Sequence, residues 1–246
     1  MARPPIKALF LDAGNTLFTE RVPRVLMYSC IAHEFGGHDH PEEMGESMSM
    51  AFRELPQSIG GNFRFSLEWF RHFNSRVLTE NNVPATQLDK AHERIVEVFE
   101  DPQTYTLFEE VPDFLRELAA MDLQVGILSN WSERLPLLCE KLGLSQHVQF
   151  VIASADIRAE KPDRSAFERA LFRAGVPASE AIHIGDHPSR DVNGALNAGL
   201  RVALISRGSV AEPAVPPADG IPILQSLEEA LPLLTTGSGQ ANHQSS

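Results

Sequence analysis

From about residue 109 onward the chain alternates short apolar runs with helix-length amphipathic stretches, and this alternation constrains the fold more tightly than any other feature. The runs fall at 123–128, 148–152, 181–184 and 201–205. Between them lie periodic stretches at 133–142, 164–174 and 191–198, the second carrying its apolar residues at Phe167, Ala170, Leu171 and Ala174. Runs that stay apolar instead of alternating belong to strands buried on both faces. Interleaved with helices, they predict βαβ units and a parallel sheet. An earlier run at 6–11 fits the same sheet as its first strand. In such sheets ligands bind outside the carboxyl ends of the strands, so those ends are where chemistry is to be sought.

Residues 18–105 have another texture. Helical patterns occupy 24–35, 41–55, 65–80 and 86–99, with no clear strand, and Phe52, Phe63, Phe65, Trp69, Phe70, Phe73 and Phe99 concentrate here. The reading is a helical insertion, with 1–18 and 106–234 forming the core domain and 19–105 a smaller domain. The aromatic residues between 63 and 73 read as packing within that insertion. The Pro-rich stretch at 212–222 reads as a loop before one last strand and helix. The small polar tail at 235–246 is expected to be disordered.

Composition sets outer limits. A chain of 246 residues can bury a proper core with a second domain inserted in it. A formal net charge of −12 argues against nucleic acid or an anionic membrane as partner, while leaving room for a local anion site. Cys30 and Cys139 are too few for a disulfide framework, no apolar stretch reaches transmembrane length, and residues 1–5 lack a secretory h-region. The expectation is a soluble cytoplasmic protein, monomer or homodimer.

Chemistry-bearing residues gather at the strand ends. Asp12 follows the first run and opens into Ala13-Gly14-Asn15, a small-residue turn. A carboxylate at the tip of a buried strand is poorly solvated and close to backbone N–H groups, the setting of a nucleophile. Ser129 and Asn130 follow the run at 123–128, Lys161 stands before Pro162, and Gly185-Asp186 is followed five residues after the aspartate by Asp191. Singly, each has a plainer reading: Ser129-Asn130 as a helix cap, Lys161 as a solvated lysine, Asp191 as a cap. Together they form one phosphate-and-metal constellation. Asp12 would attack phosphorus, Ser129, Asn130 and Lys161 would hold phosphoryl oxygens, and Asp12 with Asp186 would supply the one or two carboxylates that Mg²⁺ usually takes. Asp191 is either a further metal ligand or an orienting group. Pro162 restricts the Lys161 backbone and helps aim it.

The segments LFLDAGNTL, ILSNWSERL, ADIRAEKPDRSAFERAL and HIGDHPSRDVNGALNAGL, in this order and at these intervals, resemble the four motifs of the haloacid dehalogenase superfamily of hydrolases with a helical cap inserted after the first motif. The resemblance runs from about residue 6 to about residue 231 and is weakest through the insertion. It implies a flavodoxin-like (Rossmann-like) three-layer αβα core, an all-helical mobile cap, Mg²⁺ as cofactor and an aspartyl phosphate on Asp12. It also implies that the Gly14 backbone carbonyl joins the metal's ligands. The implied substrate is a small phosphorylated metabolite, most readily a phosphomonoester.

Gly14 departs from the phosphatase pattern, which has a second aspartate there to protonate the leaving group and then activate water. Such assistance is typically worth ~10²–10⁴-fold, so turnover is expected to be slow. Three explanations stay open: a substrate with a good leaving group such as an aryl or acyl phosphate, proton transfer by His187 or a cap residue, or a weak or inactive member that binds a phosphorylated ligand or a protein. A 2-haloacid dehalogenase is disfavoured, because the Gly185-Asp186 segment with Asp191 looks like the metal-binding version of its motif. A phosphonatase is disfavoured because Lys90 is the insertion's single lysine and falls late in it. The run Gly37-His38-Asp39-His40, with His33 nearby, suggests a polar loop facing the site more than a metal patch. His183, inside an apolar run, reads as a satisfied core residue. Trp131 reads as bordering the cleft or packing.

Overall fold

The run Ala8–Leu11 forms a strand, β1, and all four of its side chains are completely buried. In the computed structural model, which describes residues 4–207 and 220–235, β1 is followed by β2 (Phe18–Glu20), α1 (Arg24–Glu34), α2 (Pro41–Glu54), the two-residue strands β3 (Ser58–Ile59) and β4 (Asn62–Phe63), α3 (Leu67–Glu80) and α4 (Leu88–Glu100). The chain then returns through β5 (Tyr105–Leu107), α5 (Val111–Leu118), β6 (Gln124–Ser129), α6 (Leu135–Lys141), β7 (Phe150–Ala153), α7 (Ser154–Ile157), α8 (Arg164–Ala174), β8 (Ala181–Gly185), α9 (Gly194–Asn197), β9 (Arg201–Ile205), β10 (Ile223–Leu224) and α10 (Leu231–Thr235). The tail beyond 235 and most of the Pro-rich loop lie outside the described residues.

The sheet order is β10-β9-β8-β1-β6-β7, with every neighbouring pair parallel. Alternate residues of β1 feed opposite cores. Leu9 and Leu11 pack with Val111, Phe114, Leu135 and Leu138 from α5 and α6, whereas Ala8 and Phe10 pack with Ala166, Phe167 and Ala195 from α8 and α9. The result is the three-layer αβα architecture expected from the apolar runs. The chain winds outward from β1 in both directions, so β1 and its neighbours flank the crevice in which such sheets hold ligands.

Helices α1–α4 carry a third core of their own, built on Tyr28, Met44, Trp69, Phe73, Val77, Leu78 and Ile95. Local signals account for their limits: Pro41 opens α2, and the Ser66 hydroxyl accepts from the Trp69 N–H at 3.2 Å to cap α3. Two departures from the sequence reading stand out. The 18–105 segment does contain strands: β2 pairs with β5 and β3 pairs with β4. The second pair turns at Gly60 and Gly61, at φ 57° and 87°, a conformation glycine adopts readily. Strands of two residues are too short to show a period. In addition, the helix expected over 191–198 begins earlier, as a wide π-helical turn at Pro188–Asn193 that leads into α9.

Candidate active site

Register brings the strand ends together. Leu11 stands opposite Ile127 of β6 on one side and Ile184 of β8 on the other. Asp12, Ser129 and Asp186, one or two residues further along their strands, therefore meet at one edge of the sheet. Beyond Asp12 the chain turns tightly, with the Ala13 carbonyl accepting from the N–H groups of Thr16, Leu17 and Phe18. Among the described residues nothing donates to the Gly14 carbonyl. Gly14 is not among the residues of positive φ, so its backbone does not demand glycine. What stands beside it is an indole: a Cβ on Gly14 would lie 3.3 Å from Trp131 Cζ3.

Lys161 is buried and its Nζ donates to Asp12 Oδ1 at 2.6 Å and to Asp191 Oδ1 at 2.5 Å. Burial would lower its pKa, but the two carboxylates outweigh that and raise it. Its backbone is clamped by Asn130, whose Oδ1 accepts from the Lys161 N–H at 2.7 Å and whose Nδ2 donates to the Lys161 carbonyl at 2.8 Å. The Asn130 amide, expected to meet phosphate, is thus engaged at both ends in positioning Lys161. Ser129 is buried at its strand end and lines the same cavity as Asp12.

Asp191 is packed from all sides. Its Oδ1 also accepts from His183 Nε2 at 2.8 Å, and its Oδ2 accepts from the His187 N–H at 3.0 Å. The π-helical turn swings it back beneath Gly185, where a Cβ would lie 2.3 Å from Asp191 Cγ; only glycine leaves it room. Burial would raise its carboxyl, but the Lys161 ammonium and the His183 hydrogen bond hold it well below the usual carboxylate range. His183 is therefore more than core filling. Its signal was present in the sequence, as an ionisable residue inside an otherwise apolar run two positions before Gly185.

His187 does not suit the proton-transfer part considered for it. Its Nδ1 accepts from the N–H groups of Ser189 and Arg190 at 3.2 and 3.3 Å, which leaves the ring proton on Nε2. The ring can donate a hydrogen bond there, but it can take up a proton only by giving up its cap. Burial, and then Arg190, push its pKa down. His33, His38 and His40 do not line the cavity either; His38 instead meets Asn82 at 3.2 Å.

Carboxylate oxygens of Asp12, Asp186 and Asp191 lie within 4.8 Å of one another, against the single ammonium of Lys161. Among the described residues Asp186 accepts only a long bond, 3.4 Å, from Asn15. Burial, and then the charges of Asp12 and Asp191, push its carboxyl up to about 7. An all-oxygen set with surplus negative charge and one poorly satisfied carboxylate fits a hard divalent cation such as Mg²⁺. Asp12, Asp186 and the Gly14 carbonyl would hold it, with Asp191, whose Oδ1 is fully engaged, orienting Lys161.

A pH signature follows. Between about pH 4 and about pH 7 the metal-free folded protein keeps a proton on Asp186 that the unfolded chain has released, so this group's stabilisation fades as pH rises through that window. The cation needs the deprotonated form, and its apparent affinity should weaken about tenfold per pH unit below 7. The rise in Tm on adding Mg²⁺ in place of EDTA should therefore grow from about pH 5.5 to about pH 7.5 and then flatten. A shift independent of pH would place the cation elsewhere.

These residues border a cavity of about 750 Å³ between the sheet edge and α1–α4, of the size of small-molecule sites. A parallel α/β fold that sets an aspartate, a lysine and further carboxylates around such a cavity has the parts of a hydrolase. Residues 6–199 match the haloacid dehalogenase-like hydrolase family, and the chain belongs to that family. It is 29% identical over 235 residues to haloacid dehalogenase-like hydrolase domain-containing protein 3 of Danio rerio, covering 92% of this chain and 96% of that one. It is 34% identical over 225 residues to a phosphoserine phosphatase of Thermus thermophilus, covering 82% and 90%. In structure it resembles a 2-haloacid dehalogenase from Pseudomonas syringae pv. Tomato, with a TM-score of 0.68, 25% identity, and 94% and 98% of the two chains covered. Among the described residues no helix is long and apolar enough to cross a membrane.

Proposed function

We propose that the protein is a Mg²⁺-dependent phosphatase that hydrolyses a small phosphomonoester through an aspartyl phosphate on Asp12. The observation that carries this reading is the Asp12 carboxylate, held by Lys161 at 2.6 Å, lining the cavity and within reach of Asp186 and Asp191. The phosphoserine phosphatase of Thermus thermophilus supports the general reaction, while the substrate here is left to the cavity to decide.

In this mechanism Asp12 uses one carboxylate oxygen to attack phosphorus, splitting a hard hydrolysis into two easier displacements. Lys161, clamped by Asn130 and Asp191, holds its ammonium where negative charge spreads over the phosphoryl oxygens. Ser129 offers a hydroxyl to one of them. Bound Mg²⁺ would neutralise charge on the transferring group. Residues 19–105 act as a cap that excludes water and selects substrate. Closed contacts that fit this part run from Arg64 and Gln57 to Glu160, next to Lys161, and from the Leu67 N–H at the start of α3 to Glu133.

The test is phosphate release from p-nitrophenyl phosphate and acetyl phosphate, with Mg²⁺ or with EDTA, combined with intact-mass measurement of enzyme quenched in acid during turnover. Mg²⁺-dependent release and a protein species heavier by one phosphoryl group are expected. Release unaffected by EDTA, or no phosphorylated protein under any condition, would overturn the reading.

A further inference from the structure

Two features of the cavity are left unused by the mechanism above: the ring beside Gly14 and the apolar character of the walls. Trp131 follows directly from Ser129-Asn130 and stands close to where a side chain on Gly14 would begin, its Cζ3 3.3 Å from the Cβ position. Its ring meets Phe18 edge-on at 5.7 Å and Tyr105 at 6.1 Å, and all three border the cavity. Across from them, α2, α3 and α4 contribute Phe52, Phe70 and Phe99. The lining also holds polar groups such as Arg24, Asn74 and Arg134, but this cluster of rings next to the catalytic edge favours a planar aromatic body that can pack on them.

Among the described residues at the sheet edge, the groups that could protonate a leaving oxygen are already engaged. Lys161 is held by two carboxylates, His187 has its Nδ1 capped, and Asp186 belongs to the cation. Beside Gly14, where an acid would stand, there is indole carbon. This favours a leaving group that can depart as an anion. An alkoxide does this poorly, whereas a phenolate is far less basic, as the phenol of tyrosine with its pKa of about 10 illustrates.

We infer that the natural substrate is a small aryl phosphate, a phosphomonoester of an aromatic hydroxyl, and that Trp131 and its neighbouring rings set this specificity. The inference rests on the phosphatase reading and narrows it to one substrate class. In the first displacement the Asp12 oxygen–phosphorus bond forms and the bond from phosphorus to the aryl oxygen breaks. The electron pair leaves on the phenolate, which takes its proton from water after release. In the second, water attacks phosphorus, the bond to Asp12 breaks, the carboxylate is restored, and the water's proton leaves on the phosphate. Here the leaving group is a carboxylate, which needs no acid.

The test compares the Mg²⁺-loaded protein on phenyl phosphate, cyclohexyl phosphate and acetyl phosphate, together with ring-substituted phenyl phosphates of graded phenol acidity. Phenyl phosphate should exceed cyclohexyl phosphate, its near-isosteric alkyl counterpart, by at least ~10²-fold in kcat/KM, the span that an absent general acid opens. Rates should rise steeply with phenol acidity. Trp131→Leu should cut the ratio of phenyl phosphate to acetyl phosphate kcat/KM about tenfold, as loss of an aromatic contact predicts. Equal rates on phenyl and cyclohexyl phosphates, or an unchanged ratio in Trp131→Leu, would overturn the inference. If acetyl phosphate turns over and Asp12 is phosphorylated while aryl phosphates are inert, the substrate class is wrong and the phosphatase reading stands. If no compound turns over and no phosphorylated protein forms, both fall.

Discussion

Asp12→Asn is expected to lower Mg²⁺-dependent phosphate release by at least about 10⁴-fold, the scale on which loss of a nucleophile registers, while the fold survives. An amide is nearly the same size as the carboxylate it replaces but is not a nucleophile toward phosphorus, so no phosphorylated species should be seen by mass. The fold should tolerate the change, because Asp12 is one of three carboxylates crowded around one ammonium. Lys161 keeps Asp191 as partner, and Asp186 loses the more influential of the two charges that push its carboxyl up. In EDTA, Tm should therefore stay within a few degrees of wild type or rise. The Mg²⁺-induced shift in Tm should shrink, because a ligand oxygen has lost its charge. A variant keeping more than a few percent of wild-type turnover would show that another residue attacks phosphorus. A variant that unfolds would show that Asp12 holds the strand end together.

How much of this was legible beforehand depended on the range of the interaction. The parallel core was written in uninterrupted apolar runs, and β1, β6, β8 and β9 lie within two residues of where those runs predict them. The helices α1–α4 were legible through their 3.6-residue periodicity. The β3–β4 pair escaped because two residues have no period. That Asp12, Ser129, Lys161, Asp186 and Asp191 come together could be read from their places after apolar runs, although Lys161 lies in the loop before α8 and Asp191 in a π-helical turn. Their division of labour could not, since it rests on contacts between residues far apart in sequence. Asn130 clamps a backbone 31 positions away, and Trp131, which follows the neighbouring strand β6, stands beside Gly14. His187 was considered for proton transfer on adjacency to Asp186, and its local cap takes away the lone pair that part requires.

Lys161→Met should be the most destabilising single change at the site. The ammonium is almost completely buried and holds two carboxylates at 2.6 and 2.5 Å. Methionine fills much of the same volume, so the main loss is charge. Breaking a buried pair by removing one partner costs about 3–5 kcal/mol, because the other partner stays buried and unpaired. For a chain of this length that is a fall in Tm of about 6–20 °C. The sign with pH separates this cause from a simple packing defect. Without Lys161, burial at Asp191 and the repulsion at Asp186 lose the ammonium that opposes them, so both carboxyls move upward. The variant then regains stability as pH falls and those groups take up protons, and it loses that stability as pH rises. Wild type has no such dependence at Asp191, whose carboxyl stays ionised. The gap in Tm between the two proteins, measured in EDTA, should therefore widen from about pH 5 to about pH 8, and Mg²⁺ should close part of it by supplying the missing positive charge. Lys161→Arg should not restore turnover, because the planar fork needs more width than the point charge it replaces. A gap that is small, or that is the same at both pH values, would mean that the ammonium does not carry the electrostatics of the site, and the assignment of Lys161 to the transferring phosphoryl group would fall with it.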